Sequence, residues 1–162
     1  MPTRPGLRPT PDRVRETLFN WLGQELAGLR CLDLYAGSGA LGFEAASRGA
    51  ARVVMVERDA VALSALRENR ARLGAAAVAI VAGDARRYLA RARERFDVVF
   101  LDPPFGQNPF PGLLGRLEQV LAADARVYVE SAQPIEPPPH WRELRRGRAG
   151  AVSFQLFIRD AP

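Results

Sequence analysis

The chain has 162 residues, 48% of them hydrophobic, enough for one substantial core and too few for two full-sized domains. No apolar run approaches the roughly 18 residues of a membrane span, and the opening MPTRPGLRPT lacks the apolar centre of a secretion signal, so a cytoplasmic protein with no membrane partner is expected. A single cysteine, Cys31, and a single histidine, His140, exclude an internal disulfide and offer no zinc-site or Cys/His nucleophile spacing, while the formal charge of +5 points to a polyanionic partner.

That charge is weak evidence alone, because all 23 basic residues are arginine and the Ala, Gly and Pro content is high, a bias that GC-rich coding also produces. In chain order, a first helix is expected to be capped by Thr10, to hold Pro11 in its first turn and to anchor through Val14, Leu18, Trp21 and Leu22. Gly23 is not expected to stop it before Leu26.

Cys31 to Tyr35 reads as the first strand, and the loop after it, Asp33-Leu34-Tyr35-Ala36-Gly37-Ser38-Gly39-Ala40-Leu41-Gly42, is glycine-rich and opens a helix that runs to Gly49. Gly37 to Gly42 satisfies G-x-G-x-x-G, and Glu57, at the end of a strand from Arg52, follows Gly37 by 20 residues, where a carboxylate can bind ribose hydroxyls. A nicotinamide or flavin enzyme therefore competes with a methyl-transfer enzyme here. Asp33 favours the latter: its carboxylate repels a pyrophosphate and attracts the ammonium of S-adenosylmethionine. The bland alternative is that the glycines only let helix and strand pack.

A third helix is expected from Asp59 to Gly74, burying Leu63, Leu66 and Leu73. The strand Val78 to Val81 leads to Gly83-Asp84-Ala85, where Asp84 can accept from an adenine amino group or simply cap the next helix, and the two roles can coexist. The strand Phe96 to Leu101 leads to Asp102-Pro103-Pro104-Phe105, the most specific signal in the chain. Two prolines fix the backbone and remove amide donors, so the Asp102 carboxylate and an adjacent carbonyl present rigid acceptors. Acceptors are what an exocyclic amino group needs: fixing its two N–H bonds turns the nitrogen lone pair toward an electrophilic methyl. Phe105 can stack on the base, and the plain alternative is a Pro-Pro turn with a buried Phe. Such chemistry is mostly alignment and electrostatics and needs no catalytic His, Cys or Ser.

Strands are further expected at Arg126 to Ser131 and Val152 to Ile158, after a loop containing Pro137-Pro138-Pro139. The strands are mostly Val/Ile/Leu-rich without clean alternation, as in parallel strands covered on both faces, so an α/β fold follows: an open doubly wound sheet whose ligands bind at the carboxyl ends of the strands.

Taken together, the glycine loop Asp33 to Gly39, Glu57, Asp84 and Asp102 to Phe105 resemble the ordered motifs of class I (Rossmann-like) methyltransferases acting on amino groups. More narrowly, Arg8-Pro9-Thr10-Pro11-Asp12-Arg13-Val14-Arg15-Glu16-Thr17-Leu18-Phe19-Asn20-Trp21-Leu22 resembles the N-terminal signature of the RsmD family, and Val127-Tyr128-Val129-Glu130-Ser131 is similar to that family as well. The resemblance spans about Gly6 to Arg159. It implies methylation of a guanine N2 in 16S ribosomal RNA, within the small subunit or an assembly intermediate, by a monomer.

It also implies a cofactor resting on Asp33, Ala36, Gly37, Ser38 and Gly39, with Glu57 on the ribose and Asp84 and Ala85 at the adenine, while Asp102, Pro103, Pro104 and Phe105 hold the base. The fold it implies is one methyltransferase domain over 1–162: an N-terminal arm and helix (1–29), then a Rossmann-like core (30–162). That core is a seven-stranded, mostly parallel sheet with helices on both faces, its last strand antiparallel and its sixth supplied by Trp141 to Arg148.

The family usually opens on a basic, glycine-containing hairpin ahead of the arginine signature, whereas this sequence opens at the signature. Candidates for a phosphate surface are Arg4, Arg8, Arg13 and Arg15, then Arg86, Arg87, Arg91, Arg93 and Arg95, then Arg142, Arg145, Arg146 and Arg148, each run being also a plausible solvated face. Arg13 is a candidate for the cofactor carboxylate. Same-chemistry alternatives are DNA adenine-N6 and protein-glutamine methyltransferases, although no insertion is long enough for a DNA-recognition region. A non-catalytic RNA-binding assembly factor is the remaining alternative, against which the intact Glu57 and Asp102 argue.

Overall fold

The computed structural model describes residues 12–160 with the exception of 24 and 105. Seven strands form one sheet: β1 Arg30–Asp33, β2 Arg52–Glu57, β3 Val78–Ala82, β4 Phe96–Leu101, β5 Leu121–Ser131, β6 Trp141–Ala149 and β7 Val152–Arg159, in the order β3-β2-β1-β4-β5-β7-β6. β3, β2, β1, β4 and β5 run parallel, and β7 lies antiparallel to both β5 and β6. The expected mostly parallel sheet with an antiparallel last strand is therefore present, and β2 and β4 have the bounds their apolar runs predict.

Alternating residues of the central strands feed two cores. Leu32, Val54, Val56, Val99 and Leu101 face one side with α4 (Ala85–Arg91) and α5 (Phe110–Arg116); Cys31, Val53, Met55, Val98 and Phe100 face the other with α1 (Asp12–Leu22), α2 (Ala40–Ser47) and α3 (Ala60–Leu73). Each buried Leu, Val or Phe contributes about 1.5–3 kcal/mol, and this double burial is why the strands lack a polar face.

Three expectations are corrected. The first helix ends at Leu22, because Gly23 takes φ 110° and donates its amide back to the Phe19 carbonyl at 3.0 Å. Its last carbonyl, that of Leu22, is then available to the Arg126 guanidinium at 3.1 Å, which ties the helix end to β5. The Thr10 cap and Pro11 lie outside the described residues, while Val14, Leu18 and Leu22 are buried and Phe19 sits against Phe100, ring centroids 6.0 Å apart.

α3 is capped as expected, with Asp59 accepting from the Ala62 amide at 2.9 Å and Gly74 left-handed at φ 62°, but Leu73 is 61% exposed and its neighbours in the last turn are exposed too, so the buried stripe of the helix stops at Leu66. β5 begins at Leu121, five residues before the expected Arg126, because a register irregularity against β4 and a left-handed Asp124 interrupt the apolar pattern without ending the strand. Among the described residues, no helix is long and apolar enough to cross a membrane.

Candidate active site

The chain leaves β3 at one edge of the sheet and returns as β4 on the other side of β1, which makes the carboxyl ends of β1 and β4 the switch point where such sheets bind ligands. A cleft of about 560 Å³ opens there, within the usual range for a small-molecule site. It gathers Asp33, Ala36, Gly37 and Ser38 from the loop after β1, Glu57 from β2, Asp84 and Ala85 after β3, and Asp102, Pro103 and Pro104 after β4. Phe105 lies outside the described residues. Gly39 does not line the cleft. It sits behind the turn at φ 85°, where an added Cβ would come within 2.5 Å of the Phe43 ring and 2.7 Å of Leu66.

Asp33 is 1% exposed, and its Oδ1 has no hydrogen-bond partner. Burial pushes its carboxyl up to about 7; the Tyr35 and Gly42 amides pull it down, and the negative charges of Glu57 and Glu130 raise it further. A buried acceptor without a donor is costly unless a ligand supplies one, and an ammonium group satisfies this one in both charge and hydrogen bonding. The site thus fits the amino-acid end of S-adenosylmethionine.

Glu57 is committed more than its spacing suggests. Oε1 accepts from the Gly37 amide at 2.8 Å, and Oε2 accepts from the Arg58 and Asp59 amides at 3.1 and 2.9 Å. It braces the glycine loop while lining the cleft. This also separates the dinucleotide reading from the methyl-transfer one. The Ala36 amide donates to the Val56 carbonyl at 3.0 Å and the Gly39 amide to the Ala36 carbonyl at 2.8 Å, so with Gly37 three loop amides are held by the protein rather than presented to a pyrophosphate. Gly42 allows close packing of α2 on β2, where a Cβ would lie 2.4 Å from the Met55 methyl. Asp84 caps α4 by accepting from the Arg87 amide at 3.2 Å and also lines the cleft.

After β4, Asp102 is half-buried and Pro103 buried, and the Pro104 carbonyl accepts from the Gln107 amide at 3.1 Å, closing the loop into a tight turn. A second cavity of about 360 Å³ lies on the other side, between this loop, the segment after β5 and the start of β7. The two cavities share Pro103, Pro104, Gln107 and Asn108 as a common wall. Gln107, Asn108, Tyr35 and Arg58 line the first cleft without having been named as site residues from sequence, and Arg86, a candidate for the phosphate surface, lines it as well. The signal for Gln107 and Asn108 was their place in the same strand-end loop as the prolines. Burial pushes the Cys31 thiol up to about 12, so it serves as packing rather than as a nucleophile.

The candidate phosphate arginines are largely engaged elsewhere. Arg86 donates to the Pro109 and Pro111 carbonyls, Arg95 to those of Glu118 and Leu121, Arg15 pairs with Asp12, Arg142 with Asp160 and Arg146 with Glu143. Arg13 is exposed on α1 and does not line the cleft; Arg4 and Arg8 lie outside the described residues.

This sheet order, with an acid buried beneath a braced glycine turn, defines a class I S-adenosylmethionine-dependent methyltransferase. The family described as "Conserved hypothetical protein 95" matches residues 1–158. Ribosomal RNA small subunit methyltransferase D of Escherichia coli (strain K12) is 42% identical over 168 residues, covering 99% of this chain and 84% of that protein. The protein of the same name from Haemophilus influenzae is 39% identical, covering 94% and 83%. The solved structure of yhhF from Escherichia coli superposes with a TM-score of 0.88 at 39% identity, covering 96% of this chain and 89% of that one. The chain belongs to this family, that of the ribosomal RNA small subunit methyltransferases D.

Proposed function

We propose that the protein transfers the methyl group of S-adenosylmethionine to the exocyclic N2 of a guanine in 16S ribosomal RNA, acting as a cytoplasmic monomer on the small subunit or an assembly intermediate. The observation that carries the reading is the common wall: one cavity suits the cofactor, the next is free for a base, and the acceptor-rich Asp102-Pro103-Pro104 loop stands between them. The relatives named above carry small-subunit ribosomal RNA in their names.

When bound, the cofactor would supply an electrophilic methyl on a sulfonium, which the amino nitrogen would take in line with the neutral thioether as leaving group, the nitrogen then giving up a proton. Asp33 holds the ammonium of the cofactor, with Ala36, Gly37 and Ser38 shaping the floor and Gly39 packing the turn from behind. Glu57 keeps that turn in place and takes the ribose hydroxyls, and Asp84 and Ala85 border the adenine. Asp102 accepts an N–H of the target amino group, turning its lone pair toward the methyl, and receives the proton or passes it to water.

The test is tritiated methyl transfer to small-subunit particles from a strain lacking the gene, followed by nucleoside analysis. N2-methylguanosine is the expected product. Methyladenosine as the product, or the absence of incorporation into RNA by protein that binds S-adenosylhomocysteine, overturns the reading.

A further inference from the structure

β5 carries a buried acid that the transfer chemistry does not use. Glu130 is 1% exposed and lines the second cavity, and its Oε2 accepts from the buried Tyr128 hydroxyl at 2.8 Å. The register Leu101↔Val129 brings Asp102 and Glu130 level with each other at the ends of neighbouring parallel strands, which lie about 4.8 Å apart. Two acids at adjoining strand ends, one beside each cavity, present acceptors that match a ligand edge offering donors side by side.

Guanine has such an edge, with N1–H next to the N2 amino group. Adenine carries a bare N1 lone pair beside its amino group, which a carboxylate repels. The opposite wall of the cavity is fixed: Gln155, fully buried on β7, accepts from the Ile135 amide at 2.9 Å and donates to the Ile135 carbonyl at 3.2 Å and to Glu143 at 2.6 Å, clamping the segment after β5. A base entering this space meets walls already set. We propose that Glu130 is the specificity-determining residue that selects guanine, accepting its N1–H while Asp102 takes the amino group. The inference rests on the guanine-N2 reading above and adds to it the residue that rejects adenine.

The test replaces the target guanine, once mapped, with 2-aminopurine, which keeps the N2 amino group but has an acceptor at N1. Wild-type protein is expected to prefer guanine by about 100-fold or more in kcat/KM, as for a site built to bond a donor that the analogue lacks. Glu130→Gln, whose amide can donate to N1, is expected to lower guanine kcat/KM and to compress the preference by about tenfold or more, with S-adenosylhomocysteine affinity retained within a few-fold. Tyr128→Phe, which removes the hydroxyl fixing the carboxylate, is expected to shift the ratio in the same direction by less, and it decides the matter on the same criterion if Glu130→Gln does not fold. A ratio unmoved while both substrates slow equally means that Glu130 is merely structural, and it overturns the inference while leaving the guanine-N2 reaction standing. Failure of the wild-type protein to form N2-methylguanine overturns both.

Discussion

The two ends of β1 use acidic residues in opposite ways. At its amino end, Arg30 and the neighbouring Arg52 close on Glu94: Arg52 donates to it through Nε and Nη2 at 2.7 and 2.8 Å and Arg30 adds a further bond, and the Arg52 hydrogen bond above all holds the Glu94 carboxyl below its usual range. At its carboxyl end, Asp33 is buried with an orphaned oxygen and its carboxyl is pushed up to about 7. One acid is satisfied by the fold and about one-third exposed; the other is left to be satisfied by a ligand. The difference identifies the working end of the sheet, because a fold tolerates an unmet buried acceptor chiefly where something binds.

Loss of the base-holding acceptor should have the largest effect. Asp102→Ala is expected to lower methyl transfer by about 100-fold to 1,000-fold, the usual cost of removing one preorganised electrostatic contact, with S-adenosylhomocysteine binding retained within a few-fold in calorimetry. Next comes Asp33→Asn, expected to weaken cofactor binding by about 10- to 100-fold while raising the melting temperature of the ligand-free protein, since the variant removes a buried charge. A ligand-free melting temperature that falls instead would mean that Asp33 belongs with Glu94 as a structural acid, and the contrast between the ends would collapse.

The same residue sets a pH dependence. Its folded-state pKa lies above the ordinary carboxyl value of 3.8, so between that value and about 7 the folded protein holds a proton that the unfolded chain has lost. The Asp33 contribution to stability is therefore full below about pH 4 and is lost as pH rises through about 7. Cofactor affinity should move the other way, rising as the carboxylate ionises to meet an ammonium. Thermal melts and binding titrations from pH 5 to 8, with Asp33→Asn as the flat control, check both signs.

Glu57→Gln is expected to raise the cofactor dissociation constant by about tenfold and lower the melting temperature by a few degrees, because it weakens the charged bond that pins Gly37. Glu94→Ala should do least. Its cluster is about one-third exposed, so a loss of about 1 kcal/mol or less, diminishing with added salt, and unchanged methyl transfer are expected.

The site was legible where one residue type serves one purpose. Asp33, the glycine turn, Asp84 and the diproline loop were each readable from strand-end position, and the fold brings their described members, Gly39 excepted, around one cleft. The double commitment of Glu57 was not, since spacing places it near a ribose but cannot reveal three backbone amides that converge on it in space. β6 was visible only through resemblance: its sequence WRELRRGRA is an edge strand exposed along much of its length, so no apolar periodicity marks it. α5 stayed hidden for the opposite reason, its Pro111 and Gly112 holding non-helical angles within an element kept in place by the burial of Phe110, Leu113 and Leu114. Leu73 misled because helical periodicity states which face a residue is on, not whether anything packs against that face in the last turn.

The wall of Pro103 and Pro104 shared by the two cavities bears on the order of events in turnover. Prolines with locked φ have little shape to change, and the turn they begin is closed by the Gln107 amide on the Pro104 carbonyl. Occupancy of one side then transmits little coupling free energy to the other, and cofactor and RNA should load in either sequence, giving the product-inhibition pattern of a random rather than a compulsory-order mechanism.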